Sequence, residues 1–250
     1  MTRKKLFVFL ATGLAAIAAA GLALVLGLGV GLFAGLKAGR LPIYAFSQTN
    51  SAHAGYFCST LTQGTDYYVS DFDEACLQLA NPDPSTLVGR VGFGGGKICA
   101  ISGQPVTAYI AGDVGSEMSA FAPFRNVKQS PFDWRKADFR EMLFTSDYRY
   151  RNPRQTTNAA LIAEVIHTLR DGTPAKIPGL TMTGITNLCA IKMTCDQLPG
   201  LLFCPVVYRD SDGTIYLAES LMMDLNATPP QYRACWMPVS NTLTEWLNGP

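Results

Sequence analysis

The stretch from Arg125 to Arg154 combines positive charge with aromatic rings, a combination that binds anionic partners. It contains eight basic and four acidic residues, which gives a local net charge of +4. Cationic side chains attract carboxylate and phosphate groups, and aromatic faces add cation–π contacts. The stretch therefore predicts a surface for an anionic wall polymer, a lipid headgroup or a protein, although aromatic residues in a core flanked by solvated arginines would give the same pattern. The candidate ligand-binding residues are Trp134, Arg135, Lys136, Arg140, Tyr148, Arg149, Tyr150, Arg151 and Arg154.

A second candidate for chemistry is a group of acidic residues between positions 66 and 74. Paired carboxylates perform general acid–base catalysis, so this group favours a hydrolase as the alternative function. Acidic residues are also expected near the start of a helix, where they interact with its dipole. No catalytic residue is assigned, because the two histidines, His53 and His167, have no serine or cysteine motif beside them. The acidic residues are Asp66, Asp71, Asp73 and Glu74.

Two motifs resemble ligand loops but fit turns better. The segment from Tyr208 to Glu219 has the glycine and several acidic positions of a calcium loop, but a tyrosine stands at its first ligand position. An Asp-Gly hairpin explains the same residues. The glycine-rich run before Lys97 lacks the Ser or Thr that follows the lysine of a phosphate-binding loop. No metal site and no cofactor are therefore expected.

Seven cysteines are present, and a zinc site is not expected because there is no CxxC pair and there are only two histidines. Disulfides are expected instead, because an extracytoplasmic domain is in an oxidising environment. Cys195 and Cys204 lie on either side of the turn at Pro199-Gly200, so a hairpin would place them opposite each other. Cys58 with Cys76, or with Cys99, is a second candidate pair. The alternative is that most of them are buried, reduced thiols, as the apolar pattern around Cys76 suggests.

The N-terminal region is apolar enough to enter a membrane. Leu6 to Leu36 form 31 residues without a charged side chain, and a helix of that length measures about 46 Å against a hydrocarbon core of about 30 Å. The basic residues on either side favour a cytoplasmic N-terminus and an extracytoplasmic C-terminal domain. A signal peptide cleaved near Ala45-Phe46-Ser47, which would release a secreted domain, is the alternative.

Small residues recur every fourth position within this apolar segment, a spacing that allows two membrane helices to pack closely. The sequence thus predicts a homodimer or a membrane-protein partner, while a Gly/Ala-rich anchor that pairs with nothing is the alternative. The residues expected at the contact are Gly27, Gly31, Gly35 and Gly39.

Composition excludes several classes of protein. The chain has 250 residues and a formal net charge of +1, which argues against a dedicated nucleic-acid-binding protein. Hydrophobic residues make up 48% of the chain, so it is not generally disordered. The sequence divides into an N-terminal stub and anchor at 1–40, a stalk at 41–54 and one domain at 55–250.

The expected fold class of that domain is α+β, with antiparallel hairpins packed against three to four helices, because hairpins and helices occur in blocks. The predicted helices begin at Ser70, at Ser130 and near Thr156, with a last one over 241–247. The predicted strands cover 56–61, 65–69, 87–93, 97–102, 106–111, 180–195, 201–208, 214–221 and 231–239. Together these features predict a membrane-anchored, extracytoplasmic, non-catalytic binding or interaction domain, such as a sensor or accessory subunit.

Overall fold

The structure is a computed structural model of the chain. It describes residues 41–50, 57–70, 77–92, 95–113, 121–145, 153–177, 188–224 and 231–249.

Strands are the main secondary structure of the described residues. Two α-helices accompany the strands: α1, Ala159–Asp171, and α2, Asn241–Asn248. The strands are β1 Ile43–Asn50, β2 Phe57–Gln63, β3 Asp66–Ser70, β4 Leu77–Leu79, β5 Leu87–Val91, β6 Lys97–Ala100, β7 Tyr109–Gly112, β8 Ala122–Asn126, β9 Phe139–Thr145, β10 Arg154–Thr156, β11 Leu188–Cys195, β12 Leu201–Phe203, β13 Val206–Arg209, β14 Ile215–Ala218, β15 Met222–Asp224, β16 Gln231–Arg233 and β17 Met237–Pro238.

Seven strands close into a barrel in the order β1-β2-β3-β8-β7-β6-β5. Neighbouring strands are antiparallel except for β1 and β5, whose parallel pairing of Ile43 with Arg90 and Tyr44 with Val91 closes the barrel. Side chains alternate across each strand, so every second residue points inward. The apolar side chains that pack together inside are Tyr44, Leu61, Tyr68, Val91, Ile98, Ile110 and Phe124.

The second sheet runs in the order β10-β9-β11-β13-β14-β17. Two more strands belong to it: β12 pairs with β11, and β4 pairs with β12. Helix α1 packs on one face through Ile162, Val165 and Leu169. Asn158 caps the start of α1, because its Oδ1 accepts a hydrogen bond from the Ala160 N–H at 3.0 Å. A further two-stranded sheet pairs β15 with β16.

The barrel and the second sheet share one hydrophobic core. Barrel residues that point outward, such as Cys99, Ile101 and Tyr109, pack with apolar residues of the second sheet. Phe203 and Trp134 belong to the same cluster, and their rings are stacked with centroids 5.4 Å apart. The two sheets are therefore parts of a single packed body.

The α+β prediction is wrong, because two of the predicted helices are replaced by strands. Ser70 ends β3 instead of starting a helix, and Leu77–Leu79 form β4, which pairs with β12. The helix expected from Ser130 to Phe144 is a single 3-10 turn, Trp134–Lys136, followed by β9. Backbone pairing with distant strands outweighs the local helical pattern at both places.

Several local predictions are confirmed. Helix α1 ends at the expected glycine, Gly172, whose N–H donates to the Thr168 carbonyl at 3.0 Å. The final short helix is α2.

The predicted stalk at 41–54 differs from the structure, in which Ile43–Asn50 within that segment form β1 of the barrel.

The disulfide prediction is wrong for Cys195 and Cys204, which are both buried thiols. Strands β11 and β12 pair Met193 with Phe203, so the same register places Cys195 opposite Leu201. Cys204 lies three residues beyond Leu201, about 10 Å along the strand, which is too far for a disulfide. None of the cysteines resolved in the described residues is in a disulfide, and the side chains of Cys58 and Cys76 lie outside those residues.

The transmembrane prediction receives no support from the fold. In the portion of the chain that the structure describes, neither helix has the length and apolar character needed to cross a bilayer. The expected span, Leu6–Leu36, and the pairing residues Gly27, Gly31, Gly35 and Gly39 lie outside the described residues.

Candidate functional site

A cavity of about 570 Å³ opens where the barrel meets the second sheet; we refer to it as the seam cavity. Its walls come from three parts of the chain: the end of β4 with the loop that follows it, the end of β6, and the turn before β12. The lining residues are Leu79, Ala80, Asn81, Pro84, Ser85, Thr86, Ala100, Ile101, Ser102 and Gly200.

Two backbone hydrogen bonds hold the loop that borders the cavity. The Ala80 N–H donates to the Gly200 carbonyl at 3.0 Å, which attaches the start of the loop to the second sheet. The Ala100 N–H donates to the Thr86 carbonyl at 2.8 Å, which attaches its end to the barrel. Between them, Asn81 Oδ1 accepts a hydrogen bond from the Asp83 N–H at 3.1 Å. The cavity is thus bordered by a loop anchored on both sheets.

Two turns with glycine in the left-handed region meet beside the cavity. Gly103 has φ +78° and Gly200 has φ +76°. A Cβ on Gly200 would lie 2.2 Å from the Ser102 carbonyl oxygen, and a Cβ on Gly103 would lie 2.7 Å from Cβ of Pro199. The Gln104 side-chain amide also donates to the Pro199 carbonyl at 2.9 Å. Glycine at both positions therefore permits the barrel and the second sheet to approach closely here.

The lining has an apolar floor and a neutral polar rim. Leu79, Pro84 and Ile101 are buried, whereas Ser85 and Ser102 are exposed. No lining residue carries a charge. Cys99, which precedes the lining residue Ala100, lies in the core, and burial raises the pKa of its thiol, which keeps it neutral and unreactive. The seam cavity can bind an uncharged group, but its side chains supply no acid, base or nucleophile of normal strength.

The described basic residues that were predicted to bind an anion all have partners within the chain. Arg135 Nη2 lies 3.2 Å from Glu219 Oε2, and its guanidinium stacks 4.3 Å from the Trp134 ring centroid. Trp134 is fully buried, and its Nε1 donates to Glu219 Oε1 at 2.6 Å. Glu219, from the distant segment after β14, therefore neutralises Arg135 and completes the hydrogen bonding of Trp134.

The other described members are paired as well. Lys136 Nζ lies 2.8 Å from Asp133 Oδ2, and Arg140 Nη2 lies 2.6 Å from Asp196 Oδ2. Arg154 Nη1 donates to the Trp246 carbonyl at 2.8 Å. Arg154 pairs with Phe144 of β9, which is four residues along that strand from Arg140. Tyr148, Arg149, Tyr150 and Arg151 lie outside the described residues. Of the four described cations, three therefore have an acidic partner and the fourth has a backbone carbonyl.

The acidic group is represented by Asp66 alone, since Asp71, Asp73 and Glu74 lie outside the described residues. Lys128 Nζ donates to Asp66 Oδ1 at 2.8 Å. This hydrogen bond lowers the pKa of Asp66 below its ordinary value. A general acid that works near neutral pH needs the opposite shift, so the surroundings of Asp66 do not favour that role.

Asp66→Asn is expected to reduce thermal stability at neutral pH and to have no effect in strong acid. A carboxyl whose pKa is lower in the folded state stabilises the fold above its ordinary pKa, and this contribution is lost as the pH falls through the folded-state pKa. Melting temperatures of the variant and the unchanged chain, measured across that acidic range, test this. Curves that stay equally separated at every pH would contradict it.

The remaining polar motifs are structural. The Asp210–Gly213 segment is the hairpin turn between β13 and β14: Gly213 has φ +89°, and its N–H donates to the Asp210 carbonyl at 3.0 Å. Asp212 Oδ1 accepts from the Thr214 N–H at 2.8 Å. His167 Nδ1 lies 2.8 Å from Asp171 Oδ2 on the exposed face of α1. No cluster of three or more potential metal ligands occurs within the described ranges.

The sequence reasoning missed the seam cavity. One local signal was present, since Asn81-Pro82-Asp83-Pro84 indicates a loop with restricted backbone freedom. The other walls, Ala100–Ser102 and Gly200, are far from that loop in sequence, and their approach depends on the pairing of β4 with β12.

No family model, no curated protein and no solved structure matched the chain.

Proposed function

We propose that the barrel and the second sheet form a non-enzymatic binding domain that holds an uncharged ligand in the seam cavity. The observation that carries the proposal is the lining itself, a buried apolar floor beneath a rim of neutral hydroxyl and amide groups. Ligand sites in proteins combine these two features, and a volume of about 570 Å³ lies in the range such sites occupy.

The neutral lining also sets the class of ligand. A charged group moved from water into the cavity would lose hydration without meeting a charged side chain, and such burial is costly. An uncharged group would retain hydrogen bonds to Asn81, Ser85 or Ser102 while its apolar part covers Leu79 and Ile101. The favoured ligand is therefore neutral, with an apolar body and one polar end.

The sequence-based function, a binding or interaction domain, stays a proposal, and so do its extracytoplasmic location and its membrane attachment. The structure changes the residues we assign to binding, because the basic side chains that are described have acidic or carbonyl partners. The hydrolase alternative has no observation in its favour, since the one described acid of its cluster has a lowered pKa.

Three probes of nearly equal shape test the proposal: benzamide, which is neutral, benzoate, which is negative, and benzamidine, which is positive. We expect benzamide to bind in the seam cavity and each charged probe to bind at least about tenfold more weakly, because one unpaired charge costs more than about 1.4 kcal/mol. Crystals soaked with each probe, and chemical-shift titrations of the full chain, provide the measurement.

Ser85→Trp should fill the cavity and abolish benzamide binding. Ser211→Trp, at an exposed turn outside the lining, is the matched control and should leave binding unchanged. Benzamide that binds equally well to both variants would contradict the proposed site. Tighter binding of benzoate or benzamidine would contradict the proposed ligand class.

A further inference from the structure

Four large apolar side chains are exposed on the barrel. They are Ile43 at 70%, Val127 at 47%, and Tyr67 and Val106 at 40% each. No other large hydrophobic side chain among the described residues is exposed to this degree. We refer to these four residues as the apolar rim.

Strand register places the apolar rim at one end of the barrel. Ile43 is the first residue of β1, and Ala45 pairs with Thr62 near the end of β2. Tyr67 follows the β2–β3 turn, and the Val127 N–H donates to the Tyr67 carbonyl at 2.9 Å. Val106 precedes β7, and its carbonyl accepts a hydrogen bond from the Tyr68 hydroxyl at 3.0 Å. The four residues thus share the end of the barrel at which β1 begins.

The chain before this end has the composition of a segment that partitions into lipid. Leu6 to Leu36 contain no charged residue, and Lys37 and Arg40 follow immediately. Basic residues next to an apolar segment interact with lipid headgroups. On the barrel itself, Tyr67 provides an aromatic ring with a polar tip. Lys128, which follows Val127, keeps a side chain that is 60% exposed, and its ammonium lies 2.8 Å from Asp66 Oδ1.

We propose that the apolar rim rests on the surface of a lipid bilayer. Surfaces that lie at such an interface bury apolar side chains to a depth of about 5–10 Å and keep tyrosine and lysine at the headgroup level. The rim has this composition, and only five residues separate the end of the uncharged run from Pro42. Contact of the rim with lipid removes exposed apolar surface that the barrel leaves in water.

The test uses the full chain reconstituted into vesicles of phosphatidylcholine and phosphatidylglycerol, with and without brominated acyl chains. Brominated acyl chains quench the fluorescence of a tryptophan side chain only at close range. Val127→Trp places a reporter in the rim, and Gln155→Trp places one on the exposed edge strand β10 as the control. We expect the added emission of Val127→Trp to fall about twofold with brominated lipid, as for a side chain at the interface, and that of Gln155→Trp to stay unchanged.

A second variant separates rim contact from attachment of the chain elsewhere. Tyr67→Trp should be quenched like Val127→Trp, and the added changes Val106→Asp and Val127→Asp should remove that quenching, because aspartate in the rim opposes insertion. Equal quenching at positions 127 and 155 would overturn the proposal. An unquenched rim reporter would also overturn it.

Discussion

Trp134→Ala is expected to lower the free energy of unfolding by about 3–5 kcal/mol, the typical cost of removing a large buried aromatic side chain. Trp134 is fully buried, and its ring stacks on Phe203 at an interplanar angle of 11°. Its removal leaves a cavity in the core shared by the two sheets and takes away the N–H donor to Glu219. Urea unfolding followed by circular dichroism measures the change.

Trp134→Phe is the matched control for this experiment. Phenylalanine keeps an aromatic ring beside Phe203 but cannot donate to Glu219, whose carboxylate retains Arg135 and partial contact with water. We expect a cost of about 1–2 kcal/mol, below that of alanine, because one hydrogen bond and part of the ring are lost. Alanine and phenylalanine variants of equal stability would contradict the importance we give to stacking on Phe203.

Gly200→Ala is expected to destabilise the fold by more than about 2 kcal/mol, because left-handed strain and a steric clash act together. The new methyl group would lie 2.2 Å from the Ser102 carbonyl oxygen and 2.9 Å from Ile101 Cγ2, so the two turns would have to separate. This separation would also distort the seam cavity. Thermal unfolding, with benzamide binding as a second readout, measures both effects.

Gly213→Ala isolates the strain from the clash. Gly213 has φ +89°, but a Cβ there would meet nothing within 4 Å. The expected cost is therefore only that of the left-handed conformation, about 1–2 kcal/mol. If Gly213→Ala were as destabilising as Gly200→Ala, the close approach of the two turns would contribute nothing to stability.

The elements that local chemistry determines were predicted well. Helix α1 has an apolar stripe, an asparagine cap and a terminal glycine, all within one short segment. The turn at Asp210–Gly213 likewise contains its own hydrogen bonds. Strands β4 and β9 were missed for the opposite reason: each is defined by partners far away in sequence, β12 for the first and β11 for the second.

The candidate site was harder to predict, because its properties depend on residues that are distant in sequence and close together only in the folded chain. In the sequence, Arg135 and Arg140 have no obvious acidic partner. In the fold, Glu219 lies beside Arg135 and Asp196 lies beside Arg140. The seam cavity contains no residue type that signals chemistry. It arises where three separate segments approach, and composition alone cannot reveal such a space.

Strand β4 lies between β3 and β5 in the chain, which are both barrel strands, but it pairs with β12 of the second sheet. A break in the gene after the last barrel strand, β8, would therefore produce a fragment in which Leu77 and Leu79 have lost the strand that pairs with them. Neither sheet could be exchanged with another protein as an independent module. Over evolutionary time, the two sheets would be inherited, duplicated or lost together.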